Sequence, residues 1–245
     1  MEEAWGYLRN KGYMNQYEGN WWILRPDSAL VGRVVTAQYA PLRPDLEKIL
    51  KDKGKAEGRI GNMNSWPIDV LKNGDLYVAD SYEKIIDGTL IGDNLGNAIY
   101  AKSHTGVIFY GSVRDIAGLD EIAGFNAFTK GHDPSYIQQM MLTGLNVPIR
   151  MGRAYVLPGD LALARKGGVV FIPPHFAEDL IINSEFIQLK DRFGHQRLRE
   201  GKFTPGQIDG AWSDEIKKDF LSWLNTQKLP MTRTELDNFM KDRTW

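Results

Sequence analysis

The sequence predicts an α/β protein with a helical C-terminal extension, and three features of the chain point there. Between Asp75 and Gly111, strand-like segments alternate with a helical one and glycine marks most junctions, the pattern of a sheet flanked by helices. Beyond Asn146 the chain breaks into short strand-like segments joined by Pro158-Gly159-Asp160 and Lys166-Gly167-Gly168, turn formers that favour antiparallel pairing. The tail then switches to helical spacing.

Size and composition set the limits. A chain of 245 residues can bury roughly 70 to 75% of its unfolded surface, so a well-packed domain needs no disulfide staples. We place that domain at 1–190 and the helical extension at 191–245, packing on the same or a neighbouring subunit. Thirty basic and 31 acidic residues leave a formal charge of -1, with no field to draw the chain onto nucleic acid or an acidic membrane. The absence of cysteine excludes thiolate metal sites, iron-sulfur clusters and cysteine nucleophiles. No apolar run approaches the roughly 20 residues that span a bilayer, and Met1 leads into Glu2-Glu3 rather than a basic and then apolar signal segment. The expectation is a cytoplasmic protein, although Trp5, Leu8 and Arg9 at helical spacing leave room for a trimmed upstream segment.

In chain order, a short helix ends near Lys11-Gly12, and the β-branched run Gly32–Tyr39 reads as a strand. Pro44-Asp45-Leu46 opens a helix with Leu46, Ile49 and Leu50 on one face and Gly54 as its stop. Arg59–Pro67 is rich in Gly and Asn and reads as a loop. Strands follow at Asp75–Asp80 and Gly106–Gly111, with a helix over about Gly92–Ser103 between them. Short strands are predicted at Ile149–Val156, Leu161–Ala164 and Val169–Ile172. In the tail, Ser213 or Asp214 caps a helix carrying Ile216, Phe220, Trp223 and Leu224. Thr232 and Glu235 have capping-box spacing before Leu236, Phe239 and Met240.

The stretch that carries chemistry begins at Gly92-Asp93-Asn94-Leu95-Gly96. A polar turn at a helix start presents backbone N–H groups and the positive end of the helix dipole, which suits a carboxylate or oxyanion. Arg114 and Asp115 follow an apolar strand directly and should emerge at its end, where open α/β structures place ligands. Arginine offers a planar fork to a carboxylate or a developing enolate oxygen. Asp115 offers a hard oxygen ligand to a divalent cation, magnesium above all, which keeps several waters and needs few carboxylates. On spacing alone, a solvated surface ion pair is the competing reading of Arg114 and Asp115.

The order Gly-Asp-x-x-Gly, apolar strand, Gly-x-Val-Arg-Asp, then Val156-Leu157-Pro158-Gly159-Asp160 and Gly168-Val169-Val170-Phe171-Ile172-Pro173 resembles the RraA-like family from about Gly32 to Pro174. That family includes the regulator of ribonuclease activity and metal-dependent class II pyruvate aldolases of the 4-hydroxy-4-methyl-2-oxoglutarate type. The resemblance implies a three-layer β/β/α sandwich of the swivelling-domain type, in homotrimers or dimers of trimers with sites at subunit interfaces. It implies that Arg114 holds the pyruvyl group and its enolate, and that Asp115 binds Mg2+ (or Mn2+). Gly92, Asn94 and Leu95 would offer backbone amides to a small 2-oxo acid substrate, and Asp93 would orient a metal-bound water. The implied activity is a lyase that cleaves a 4-hydroxy-2-oxo acid or decarboxylates a 2-oxo acid through pyruvate enolate. The alternative is a non-catalytic regulatory protein that binds a protein partner. One departure stands out: Gly118 sits where the aldolases carry an acidic residue.

The remaining candidates read as structure. His104, His132, His175 and His195 lack metal-ligand spacing, and His104 suits a helix C-terminus. Lys102 as a Schiff-base amine fits a metal-type family poorly, and Trp21-Trp22 reads as packing. A methyltransferase label, also attached to this family, finds no Gly-rich strand-turn-helix near the N-terminus.

Overall fold

A computed structural model of the chain describes residues 1–229 and 231–241, which divide into an N-terminal unit, Met1–Ala177, and a C-terminal unit, Glu178–Trp245. In the N-terminal unit, helix α1 (Glu2–Asn10) and the short strands β1 (Tyr17–Glu18) and β2 (Trp22–Ile23) lead into the long β3 (Leu30–Pro41). Helix α2 (Pro44–Ala56) and the single turn α3 (Trp66–Asp69) precede β4 (Asp75–Asp80) and β5 (Thr89–Ile91). Then come α4 (Asp93–Ser103), β6 (Val107–Val113), α5 (Ile116–Glu121) and β7 (Ala127–His132). The unit ends with β8 (Met140–Leu145), β9 (Ile149–Met151), β10 (Ala154–Val156), β11 (Leu161–Arg165) and β12 (Gly168–Ile172).

At the centre, β3, β4, β6 and β7 run parallel in that order, with β5 also parallel to β6. Strands β11 and β12 extend this sheet antiparallel from β3, β8 pairs antiparallel with the far half of β3, and β9 and β10 form a separate hairpin. Alternation along the parallel strands builds two cores. Tyr77, Ala79, Val107 and Phe109 face one side, where Ile99 of α4 and Leu119 of α5 meet them. Leu76, Val78 and Ile108 face the other, against Ile149, Met151, Ala154 and Val156 of the hairpin and Phe171 of β12. Strands buried on both faces are expected where a parallel sheet is covered twice. The result is the predicted α/β architecture, β-structure on one face of the sheet and helices on the other.

Several details depart from the sequence reading. Helix α2 runs through Gly54 instead of stopping there, because Gly54 is buried under the Trp66 ring and a Cβ would lie 2.3 Å from Trp66 Cη2. Ile49 is 63% exposed; the inward stripe is Leu46 and Leu50, which are one helical turn apart. The strand expected across Ile149–Val156 folds back at Gly152, whose φ of 60° suits the turn, and so becomes two paired strands. The loop at 59–67 holds the start of α3.

The C-terminal unit consists of α6 (Ala177–Arg199), α7 (Pro205–Asp209), α8 (Asp214–Leu224) and α9 (Arg233–Lys241). Phe186, Phe193, Trp212, Phe220 and Trp223 form its core, and Arg197 clamps Asp219 through Nε at 2.7 Å and Nη2 at 3.0 Å. Ser213 accepts the Ile216 amide at the start of α8, while Thr232 and Glu235 exchange the bonds of a capping box before α9. Leu236 and Met240 are buried, and the side chain of Phe239 lies outside the described residues. The sequence reading set the boundary of this extension at 191, inside α6; the observed division falls at the start of that helix.

Candidate active site

Two parallel strand ends place the site. Ile91 pairs with Val113 across β5 and β6, and the Arg114 amide donates to the Ile91 carbonyl at 3.0 Å. Gly92-Asp93 and Arg114-Asp115 therefore leave adjacent strands at the same edge. Strand β5 runs into α4, so the second pair faces a helix start. Asp115 adopts the left-handed conformation at φ 52°, ψ 47° and stands at the N-cap of α5. For a residue other than glycine this costs roughly 1 to 2 kcal/mol, and Asp is among the residues that tolerate it best. It turns the carboxylate back beside its neighbour, so that Arg114 Nε lies 3.1 Å from Asp115 Oδ2.

Glycine makes this approach possible. A Cβ on Gly92 would fall 2.2 Å from Asp115 Oδ2 and 3.0 Å from Arg114 Nε. Across the site, a Cβ on Gly118 would lie 2.7 Å from Asp93 Cβ and 2.8 Å from its Oδ2. The space that a side chain at 118 would enter is taken by the Asp93 carboxyl group. Asp93 Oδ1 in turn accepts the Asn94 amide at 2.7 Å, and Gly96 donates the first helical bond to the Gly92 carbonyl at 2.9 Å. The Asn94 amide is thus engaged by Asp93, while those of Asp93 and Leu95 belong to the first turn, ahead of the helical ladder.

Gly92, Asp93, Asn94, Leu95, Arg114 and Asp115 all line one cleft. The structure brings every sequence-derived site residue together. It adds Asn64, Thr89, Tyr136 and Ile137, which the sequence reading had not assigned to a site. Asn64, from the Gly- and Asn-rich loop, is buried and donates to the Leu90 carbonyl at 2.5 Å. Its loop composition was a signal; nothing local marked Tyr136. Arg114 Nη1 donates to the Ser135 carbonyl at 3.2 Å, which ties the loop before β8 to the site arginine. A hydrogen bond from Ser135 holds the Asp133 carboxyl below the ordinary carboxylate range, which keeps an acceptor charged at the base of that loop.

The other candidates are engaged elsewhere. His104 is the left-handed C-cap of α4, with Nδ1 3.1 Å from Asn73 Oδ1, and the Lys102 ammonium donates to the Asp69 carbonyl at 3.1 Å. Trp21 and Tyr110 sandwich the Lys130 ammonium at 4.5 and 4.8 Å from their ring centres, which is packing around a nearly buried cation.

Among the described residues no group of three or more His, Cys, Asp or Glu side chains could enclose a metal ion. The donors that do converge are hard carboxylate oxygens, with the Asp115 side chain 44% exposed. That set fits magnesium or manganese held by few protein ligands and completed by water, and it does not fit zinc in a closed site.

A helix start facing an Arg–Asp pair at the carboxyl ends of parallel strands gives this α/β protein its one polar cleft built from the predicted site residues among the described residues. Residues 3–171 match the family model RraA-like, described as Aldolase/RraA, and the chain belongs to the RraA-like family. RraA homologues include both regulators and class II aldolases. The fold is shared with an uncharacterized protein from Pseudomonas syringae pv. tomato str. DC3000, 20% identical, with a TM-score of 0.70 over 85% of this chain and 87% of that one. It is shared too with Streptomyces coelicolor RraAS2, an unusual member of the RNase ES inhibitor RraA protein family. That protein is 22% identical, with a TM-score of 0.67 over 80% of this chain and 92% of its own. No helix among the described residues is long and apolar enough to cross a membrane.

Proposed function

We propose that this protein is a divalent-metal-dependent lyase that forms pyruvate enolate from a 2-oxo acid, by retro-aldol cleavage of a 4-hydroxy-2-oxo acid or by decarboxylation. The observation that supports it most is the convergence of Arg114, Asp115 and the Gly92-Asp93 helix start in one cleft. In the aldol case the C3–C4 bond breaks and its electron pair enters the C2–C3 enolate. The C4 hydroxyl loses its proton and C4 leaves as a carbonyl. In the decarboxylation case the same bond breaks and carbon dioxide leaves. Either way C3 then takes a proton to give pyruvate.

The residues divide this work. The Asp93 and Leu95 amides in the first turn of α4 receive the substrate carboxylate, and the Arg114 fork faces the C2 oxygen, where negative charge develops. Asp93, held by the Asn94 amide and packed on Gly118, is the base nearest the helix start and takes or returns the proton. Asp115, with Asp93 close by, would hold Mg2+ or Mn2+. When bound, such an ion supplies Lewis-acid stabilisation of the enolate oxygen. We further propose a homotrimer or dimer of trimers, which size-exclusion chromatography with light scattering tests directly.

The experiment is pyruvate release, followed by coupled lactate dehydrogenase, from oxaloacetate and a panel of 4-hydroxy-2-oxo acids with magnesium, manganese or chelator. Metal-dependent release that disappears in Arg114→Ala with the fold intact supports the lyase. Equal release by wild type and Arg114→Ala refutes the site. No release from any substrate, together with a tight complex with a protein partner, would assign the chain to the regulators instead.

A further inference from the structure

Resting on the lyase reading above, we propose that Thr89 is a positioning residue for Arg114. Through the loop from Asp133 to Ser135 it holds the backbone carbonyl that aims the guanidinium at the developing enolate oxygen.

The Arg114 side chain is long and 39% exposed, so its fork keeps one direction only where something holds it. Two groups do. Nε donates to Asp115 Oδ2 at 3.1 Å, and Nη1 donates to the Ser135 carbonyl at 3.2 Å. They are not equivalent. Asp115 is the residue proposed to hold the divalent ion, which competes for its oxygens. The Ser135 carbonyl is a neutral acceptor, and it fixes the fork without cancelling the charge that an enolate oxygen needs. With these two bonds made, Nη2 has no acceptor among the described residues, and its hydrogens are left for an oxyanion.

That carbonyl is held by its loop, and the loop is held by Thr89. Thr89 stands at the start of β5, is 2% exposed, and donates its hydroxyl to the Asp133 carbonyl at 2.9 Å. A hydroxyl has a single proton to give, so Thr89 acts on the loop and not on a substrate. Pro134 comes next, with its φ set by the ring, so the Ser135 carbonyl inherits its position from Asp133. Other ties converge on the same residue. The Asp133 amide donates to the Val113 carbonyl at 3.1 Å, and Asp133 Oδ1 accepts the Ser135 amide at 3.1 Å and the Asp87 amide at 3.3 Å. Strands β5 and β6 thus carry both the backbone of Arg114 and the carbonyl that steers its head. All of these bonds lie within one chain, so the aim of the fork does not depend on what a neighbouring subunit adds to the cleft.

The test compares wild type with Thr89→Val, which keeps the branched shape and strand preference but loses the hydroxyl, and with Thr89→Ser, which restores it. Asp133→Ala loosens the same loop by a different bond and serves if Thr89→Val folds poorly. On the full chain, kcat and KM for pyruvate release are measured beside a thermal melt. Binding of oxalate, a planar dianion with the charge of pyruvate enolate, is measured by titration calorimetry with magnesium. Thr89→Val should lower kcat about tenfold with KM within about threefold, and weaken oxalate about tenfold, while Thr89→Ser recovers both. Because the effect runs through Arg114, adding Thr89→Val to Arg114→Lys should change kcat less than about twofold further. Wild-type kcat and oxalate affinity in both Thr89→Val and Asp133→Ala overturn the inference, as do losses that multiply with that of Arg114→Lys. Either result leaves Arg114-dependent pyruvate release, and so the lyase reading, in place. If the wild type neither binds oxalate nor releases pyruvate from any substrate, the lyase reading fails and the inference fails with it.

Discussion

Replacing Gly92 with alanine separates the work of the site from the stability of the fold. The backbone at Gly92, φ -118° and ψ -163°, is extended and open to any residue, so alanine adds no backbone strain. Its Cβ, however, would lie 2.2 Å from Asp115 Oδ2, and an ordinary contact begins near 3.4 Å. The carboxylate oxygen must retreat by about 1 Å, and the 3.1 Å contact with Arg114 Nε cannot survive that movement unchanged. Misplacing a catalytic group by about 1 Å costs on the order of 10²-fold in rate, equivalent to about 2.7 kcal/mol of transition-state stabilisation.

Stability should respond far less. The Asp115 side chain is 44% exposed and can swing toward solvent. Glycine to alanine at a helix N-cap costs about 1 kcal/mol at most here, which is a few degrees in Tm for a chain of this size. The assay pairs kcat/KM for pyruvate release with a thermal melt and with manganese affinity by electron paramagnetic resonance. We expect kcat/KM to fall about 100-fold, manganese to bind more weakly and Tm to fall by no more than about 4 °C. Activity within threefold of wild type would show that the packing of Gly92 on Asp115 plays no part in turnover. A large loss of Tm would mean that Gly92 is structural.

Other perturbations read the same site from different sides. Arg114→Lys keeps the charge but cannot bridge both Asp115 Oδ2 and the Ser135 carbonyl as the fork does, and should lower kcat about 10²-fold with little change in Tm, by the pyruvate assay. Gly118→Ala adds a good helix former, yet its Cβ meets Asp93 Cβ at 2.7 Å; activity should fall on the order of tenfold or more, with Tm nearly unchanged in a parallel melt. Chelation followed by dialysis should abolish pyruvate release, and magnesium or manganese should restore it, whereas zinc should not. Asp160, away from the site, is buried with its carboxyl pushed up by desolvation, and it accepts the Leu157 amide at 2.9 Å. Its folded pKa lies above its unfolded one, so the wild type loses stability as pH rises through the folded value. Asp160→Asn keeps the acceptor without the charge and should melt higher at pH 7 to 8, a gap that closes as pH falls toward about 4 in melts across pH.

What was legible in the sequence follows from how local each signal is. Apolar runs within Asp75–Asp80 and Val107–Val113 report burial on both faces, and the Gly92 helix start and the tail capping boxes are fixed by residues three or four apart. Strands β1 and β2 have two residues each, too few for any period to show. Helix α6 went unread because Leu180 and Ile181 stand off the stripe of Phe186, Leu189 and Phe193, so its pattern is blurred at its start. Gly54 looked like a helix stop, and only the ring of Trp66, distant in sequence, shows why glycine is required inside the helix. In the cleft, the Gly-Asp and Arg-Asp pairs were readable as motifs. Tyr136 was not, since hydrogen bonds from Thr89 and Arg114, and one from Gln138 to the Asp87 carbonyl, bring it there, and no pattern within its own segment encodes them.

Gly118 is where the motif and the geometry bear on each other most directly. Compared with the aldolase pattern it is a missing acid, which on its own weighs toward a site that no longer catalyses. In this fold, an acidic side chain at 118 could not coexist with Asp93 where it stands, because the first carbon of that side chain would already overlap the Asp93 carboxyl group. The absence of a side chain at 118 and the placement of Asp93 are thus one arrangement. Two carboxylates at this end of the cleft would repel each other unless one were neutralised, and a single carboxylate anchored by the Asn94 amide keeps a defined position. An Asp at 118 should therefore displace Asp93 without adding function, and that consequence distinguishes a rearranged lyase site from one that has decayed.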